Sequence, residues 1–309
     1  MGLGVHPKMK AAAPPMRNGV GASCVSLPAG PWPLLLDFLA QTMAHVSRAE
    51  WLQRMNQGLV FDGNAQVLGP QQPYQAHSKA YYYRQLADEP AIPFQEHILF
   101  QDEHLVVVDK PHFLPVTPSG NYLQETVLVR LKRKLGLDSL TPIHRIDRDT
   151  AGLVLFSIQP ASRDAYHGLF RQHAVDKSYE AIAPWRSDLI FPSSRHSRIV
   201  PAQHFMLQRE EAGTPNALTH MSLLEVRGSW ARYRLQPVTG KRHQLRVHMN
   251  SLRLPIAGDG LYPQLTPPGT NYARPLQLLA KSIAFTDPIT RKARNFESQR
   301  KLSFDSLAY

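Results

Sequence analysis

A charged loop running directly into an apolar strand constrains this chain more than any other feature. His144-Arg145-Ile146-Asp147-Arg148-Asp149 places five ionisable side chains in six residues, and Thr150-Ala151-Gly152 then leads into Leu153-Val154-Leu155-Phe156. Four consecutive apolar residues behind a glycine predict a buried strand. Such a strand anchors the loop at the edge of a core, where loops on rigid scaffolds carry chemistry. A surface turn of solvated ion pairs is the alternative reading of the same charges.

The rest of the chain favours a site. Its 309 residues suffice for about two domains. Lysine and arginine (35) exceed aspartate and glutamate (24), giving +11 and a pI near 9.8. Residues 1–94 hold 7 basic and 5 acidic side chains and residues 95–309 hold 28 and 19, so +9 of the excess lies in the larger part. A basic globular body points to a polyanion, most often nucleic acid. A lone cysteine, Cys24, excludes an internal disulfide and any CxxC metal site, which predicts a reducing compartment. No apolar run is long enough for a membrane span, and residues 1–30 lack a signal-peptide apolar block, so a cytoplasmic location is expected.

Residues 1–30, rich in Gly, Ala, Pro and Ser, read as a disordered tail. Leu34, Leu35, Leu36, Phe38 and Leu39 then share a helical face, and Ser47-Arg48-Ala49-Glu50 is a capping-box start for a second helix stopped at Gly58. Leu59-Val60-Phe61 and Tyr81-Tyr82-Tyr83 read as strands, and Pro90 and Pro93 mark a boundary. Beyond it, Ile98–Phe100 and Leu105–Val108 form a predicted hairpin around Gln101–His104. Thr126–Leu135 is helical, with Val127, Leu128, Leu131 and Leu135 inward and Arg130, Arg133 and Lys134 outward. A helix over 162–172 and a strand over 177–181 follow, then an irregular insertion over 185–215. Leu218–Val226 and Ser229–Pro237 are paired strands, and Gln244 to His248 read as a strand or strand–helix junction. The mixture predicts an α+β fold with a largely antiparallel sheet.

His144, His243 and His248 invite a metal reading, but the last two are five residues apart and share no helical face, and no third-ligand motif is evident. Neither GxxxxGK[ST] nor GxSxG occurs, which leaves P-loop and α/β-hydrolase chemistry without support. On the residues alone, Asp147 and Asp149 are equal candidates for a working carboxylate.

Three ordered pieces carry a resemblance. Asp109-Lys110-Pro111, His144 to Gly152, and Gly240-Lys241-Arg242-His243-Gln244-Leu245-Arg246-Val247-His248 resemble the signatures of the RluA-type pseudouridine synthases, over roughly residues 97–290. The central motif departs from the family's usual His-Arg-Leu-Asp-x-x-Thr-Ser-Gly only in Ile146 and Ala151. The resemblance implies a pseudouridine synthase fold over 95–309: α+β, a mixed, largely antiparallel central sheet with flanking helices and loops. It implies that uridine in ribosomal or transfer RNA is isomerised to pseudouridine, with no metal or other cofactor. The essential aspartate falls on Asp147, as nucleophile or base. The arginine that pairs bidentately with it and opposes the upward pull of desolvation falls on Arg246. The tyrosine under the base falls on Tyr179. Expected RNA contacts are His144, Arg145, Arg148, Lys110, Lys177, Lys241, Arg242, His243 and Gln244. A target uracil must leave its stack, so a flipped base in a stem-loop is expected. A monomer off the membrane is expected. Residues 31–94 resemble a small S4-like RNA-binding module and its linker, on Ser47-Arg48 and Gly58-Leu59-Val60, although only Arg48 and Arg54 supply a basic cluster. A non-catalytic RNA-binding protein and a glycosidase-like hydrolase using Asp147 and Asp149 are the alternatives.

Overall fold

The computed structural model describes residues 14–86, 88–266 and 272–305. The chain divides between Glu89 and Pro90 into two compact units.

In the first unit, β1 (Ser23–Ser26), α1 (Leu35–Thr42), α2 (Arg48–Asn56), β2 (Val60–Phe61) and β3 (Lys79–Tyr82) build a three-stranded antiparallel sheet, order β1-β3-β2, with two helices. Part of the expected tail is therefore structured: Ser23–Ser26 pairs with Lys79–Tyr82, because backbone pairing asks little of side chains. Residues 1–13 lie outside the described residues. Leu35, Leu36, Phe38 and Leu39 of α1 bury against Trp51 and Met55 of α2. The capping box is formed: Ser47 N–H donates to the Glu50 carboxylate at 2.8 Å, and Glu50 N–H donates to Ser47 Oγ at 3.2 Å. Neither Arg48 nor Arg54 stands alone. Arg54 is buried over the Trp51 ring, and Arg48 pairs with Asp37 at 3.0 Å.

The second unit comprises β4 (His97–Gln101), β5 (Leu105–Lys110), α3 (Val127–Leu135), β6 (Thr141–Pro142), β7 (Ala151–Ser157), α4 (Pro160–Arg171), β8 (Asp176–Pro184), β9 (Ser193–Pro201), β10 (Gln208–Glu211), β11 (Ala217–Arg227), β12 (Trp230–Pro237), α5 (Gln244–Ser251), β13 (Leu278–Thr286) and β14 (Ala293–Glu297). Its sheet runs β10-β9-β11-β12-β8-β13-β7-β5-β4, with β14 on β13 and β6 on β7. Every pair is antiparallel except β13 with β7. This is the expected α+β class. The apolar runs of β5 and β7 follow from burial on both faces. Val106, Val108, Val154 and Phe156 pack with Val127 and Leu131 of α3, while Leu105, Val107, Leu153 and Leu155 pack with Tyr166 of α4.

Three local expectations are corrected. The supposed irregular insertion contains β9 and β10. Inward positions of β9 include Arg195 and Ser197, which meet Glu210 and His248, so apolar alternation is missing although the ladder is complete. Arg130 does not face away from α3; its guanidinium donates to the carbonyls of Ile92 and Phe94 and to Glu125. The segment from Gln244 is a helix. Residues 244–249 are all buried, so no periodicity marks it.

The β7–β13 contact explains Gly152. Its φ is +109°, and a Cβ there would lie 2.3 Å from the Ala280 carbonyl oxygen. Gly152→Ala must push β13 off β7 or deform the end of the charged loop. The expected loss exceeds about 2 kcal/mol, read as a melting temperature roughly 5 °C lower or more. Unchanged melting would show that the strands part at no cost.

Candidate active site

The loop between β6 and β7 is held from below by buried polar groups. Lys110 ends β5 inside the core and its Nζ donates to the carbonyls of Pro111, Leu114 and Arg148 at 2.9, 2.8 and 2.8 Å. Burial pushes Lys110 down to about 7, against the pull of Asp149 and Asp147. His112 Nδ1 lies 2.8 Å from the Asp149 carbonyl, and burial pushes this ring down to about 4, so it is neutral and donates there. Thr150 N–H donates to the Asp147 carbonyl at 3.2 Å and closes the turn.

With its backbone fixed, the loop sorts its carboxylates. Asp149 accepts from Arg148 Nε at 2.8 Å. Asp147 turns toward α5, where Arg246 Nη1 donates to it at 3.1 Å and His243 Nε2 stands 3.9 Å away. Arg246 is 2% exposed, and its fork is bidentate to Asp259, with Nε at 2.8 Å and Nη2 at 2.5 Å. The expectation of bidentate pairing with Asp147 is thus corrected: Asp259 takes the fork and Asp147 a single bond. Burial opposes the charge of Arg246, yet Asp259 and then Asp147 outweigh it and hold the group above the ordinary arginine value. Asp259 Oδ1 also accepts the N–H groups of Leu261 and Tyr262 at 2.8 and 3.1 Å.

Around this centre is a cleft of about 1140 Å³, lined by Asp147, His243, Arg246, Asp259 and Tyr262, with Phe113 and Tyr122 among its aromatic walls. His243 sits at the left-handed φ of +55° that opens α5, with Nδ1 3.1 Å from Tyr262 Oη. Burial lowers its pKa against the attraction of Asp147, so the ring is neutral. Tyr179, on β8, packs against the core under α5. Burial first and the Asp147 charge second push its phenol up, which keeps it protonated.

The structure therefore brings Asp147, Arg246 and His243 together, sets Tyr179 in the core close enough to feel the Asp147 charge, and removes several expected RNA contacts from the surface. Lys110 is enclosed by carbonyls, because the run before it is a core strand. Gln244 is buried; it accepts from Thr239 Oγ1 and Lys241 N–H and donates to the Leu218 carbonyl and Thr219 Oγ1. His144 Nε2 accepts the Leu155 N–H at 3.2 Å, and its ring stacks on Phe170. Burial and then Lys177 push His144 down to about 3. Lys177 is itself half-buried, and Arg148 is engaged with Asp149. Arg145, Lys241 and Arg242 are exposed. Arg145 forms no hydrogen bond or ion pair with the described residues. His248 is enclosed between Ser197 and Thr219.

Sequence reasoning did not assign Asp259, Tyr262 or His112. A signal was present in Gly258-Asp259: Gly258 has φ +72°, and a Cβ there would meet the Pro275 carbonyl oxygen at 2.4 Å. Among the described residues no group of three or more His, Cys, Asp or Glu side chains is placed to hold a metal ion, and no helix is long and apolar enough to cross a membrane.

Comparison with known proteins gives one answer. A family model described as RNA pseudouridylate synthase matches residues 104–251. An RNA pseudouridine synthase of Synechocystis sp. is 33% identical over 249 residues, 78% of this chain and 84% of that protein. The dual-specificity RNA pseudouridine synthase RluA of Pasteurella multocida is 32% identical over 218 residues, 68% of this chain and 94% of that one. The human RNA pseudouridylate synthase domain containing 4 superposes with a TM-score of 0.52 at 25% identity, covering 68% of this chain and 90% of the human one.

Proposed function

The chain belongs to the RluA-type RNA pseudouridine synthases, and from that premise we propose that it isomerises specific uridines in ribosomal or transfer RNA through Asp147, without a cofactor. One observation carries the choice of residue. Both carboxylates of the loop line the cleft, but Asp149 is paired with its partly exposed neighbour Arg148, while Asp147 stands against the buried guanidinium of Arg246. In the reaction the C1′–N1 bond breaks, the uracil turns within the cleft, and C5 bonds to C1′. The C5 hydrogen leaves as a proton and N1 gains one, so nothing is released. An ionised carboxylate serves either as the nucleophile at C1′ or as the base at C2′. Arg246 steadies that charge through one hydrogen bond while its fork is held by Asp259, so one guanidinium between two carboxylates leaves a net negative charge at the site, as a working carboxylate requires. Tyr179 stacks under the base. As a phenol it takes the C5 proton only by passing its own on, toward the Asp147 carboxylate whose charge already bears on it. The experiment is a map of pseudouridines in a deletion strain against its parent. Loss at one or more uridines is expected, and an unchanged map would refute the assignment.

A uridine held in a base stack cannot present both C1′ and C5 to Asp147, so it leaves its stack, which favours a stem-loop target. Arg145 is the group we place in the vacated space. It is exposed, two residues before Asp147, and forms no hydrogen bond or ion pair among the described residues, which leaves its flat guanidinium available to stack on neighbouring bases. Arg145→Lys keeps the charge and loses the plane. A large fall in activity on structured RNA is expected, with little change in salt-dependent affinity. Binding that weakens in proportion to activity, with a smaller salt slope, would make Arg145 a phosphate contact instead.

Residues 31–94 we read as an S4-like module. The capping box at Ser47 and the left-handed Gly58 support that reading, and Arg48 and Lys79 are its exposed cations.

A further inference from the structure

The turn between β9 and β10 displays an aromatic ring to solvent from a rigid mount. Phe205 is 77% exposed, yet its own backbone is stapled. Arg242 donates through Nη1 and Nη2 to the carbonyls of Phe205 and Met206, both at 3.1 Å. Leu207 N–H donates to the His204 carbonyl at 2.9 Å, and Gln208 N–H donates to Tyr262 Oη at 2.8 Å. Tyr262 Oη is in turn 3.1 Å from His243 Nδ1, the ring that faces Asp147. Phe205 and Met206 line the same cleft as Asp147. Beside Phe205 the His204 ring lies nearly parallel, with centroids 5.0 Å apart and planes at 26°.

An exposed phenylalanine costs hydration free energy and gives nothing to folding. Here the guanidinium of Arg242 and the phenol of Tyr262 hold its turn at the rim of the cleft. A flat apolar ring fixed beside a base-flipping site, on a basic body, matches one ligand chemistry: the face of an unstacked nucleobase. An apolar protein partner would call for a wider patch, and the flanking groups are Arg242 and His204. We infer that Phe205, backed by His204, is a stacking platform for an RNA base flanking the target uridine. It orients the loop of the RNA over the cleft and takes no part in bond making. The inference rests on the synthase reading for its substrate class and adds a substrate-positioning contact to it.

The test has two arms. In an Asp147→Asn background, Phe205→Trp adds an indole to the four native tryptophans, and its emission is titrated with a short RNA hairpin carrying a mixed-sequence loop. The control is the same hairpin with an abasic loop, which keeps every phosphate. Quenching by the base-containing loop and little by the abasic one is expected; equal quenching overturns the inference. Quenching that grows with protein concentration before RNA is added would assign the tip to a second copy of the chain, and also overturns it. In the second arm, pseudouridine formation is measured on bulk RNA from the deletion strain. Phe205→Ala should lower kcat/KM by about 10- to 100-fold, the scale of one lost stacked base. The change should sit in KM, with the salt slope unchanged because no charge is removed. Phe205→Leu should stay low and Phe205→Trp should recover. Wild-type kcat/KM in Phe205→Ala overturns the inference and leaves the synthase reading intact. If no variant, wild type included, forms pseudouridine, the synthase reading falls, while base-dependent quenching still supports the platform.

Discussion

Asp147→Asn should abolish pseudouridine formation, by about 10⁴-fold or more, in a protein that melts near the wild-type temperature and still binds RNA. The carboxamide keeps the size of the side chain and an oxygen to accept from Arg246 Nη1, but it is neither nucleophile nor base. Folding survives because Arg246 is not orphaned: its fork remains bidentate to Asp259, whose side chain is fully buried. Asp149→Asn is the control. It breaks the bond to Arg148 between two side chains that are about a quarter to a third exposed, a pair of the kind worth about 1 kcal/mol or less. Activity should remain readily measurable. The measurement is pseudouridine formed per enzyme on RNA from the deletion strain, beside melting curves for both variants. An inactive Asp149→Asn with an active Asp147→Asn would reverse the assignment and with it the mechanism.

The same pair of residues shows what the sequence could and could not say. Charge and spacing left Asp147 and Asp149 equal, and only the family motif chose between them; the structure adds that they have different partners, Arg148 for Asp149 and the buried Arg246 for Asp147. The motif names residue types without naming what they touch. Lys110, His144 and Gln244 read as RNA ligands because they are polar members of the three family motifs. Each instead fills a buried hydrogen-bond vacancy in the scaffold, a use that no local pattern distinguishes from ligand binding. For Lys110 a warning was available, since Leu105–Val108 predicts a strand whose end is inside the core. The strands β5, β7, β11 and β12 were legible from apolar runs and turns. By contrast β9 and β10 were not, because their inward side chains are salt-bridged or hydrogen-bonded polar groups. Asp259 was overlooked for a related reason: its worth comes from Arg246, thirteen residues earlier, and that pairing exists only once α5 and the turn at Gly258 are formed.

Asp259 is also why Arg246→Met should be the most damaging change to fold and turnover together. Methionine approximates the stem of arginine but leaves a fully buried carboxylate that, among the described residues, keeps the N–H groups of Leu261 and Tyr262 as its donors. Removing one partner of a buried pair costs about 3–5 kcal/mol, or roughly 6–20 °C of melting temperature at about 2–4 °C per kcal/mol. The same change deprives Asp147 of its bond to Arg246 and loosens its aim, so turnover in the fraction that folds should fall by two orders of magnitude or more, about 3 kcal/mol of transition-state stabilisation. Arg246→Lys separates the two effects. An ammonium restores a positive charge for Asp259 and should recover much of the stability. It has no fork with which to hold Asp259 and Asp147 in one geometry, so turnover should stay low. Melting curves and single-turnover rates on the same preparations decide the matter. A stably folded Arg246→Met enzyme with near-normal turnover would show that Asp147 needs no fixed counter-charge, and a fully active Arg246→Lys would reduce the role of Arg246 to charge alone.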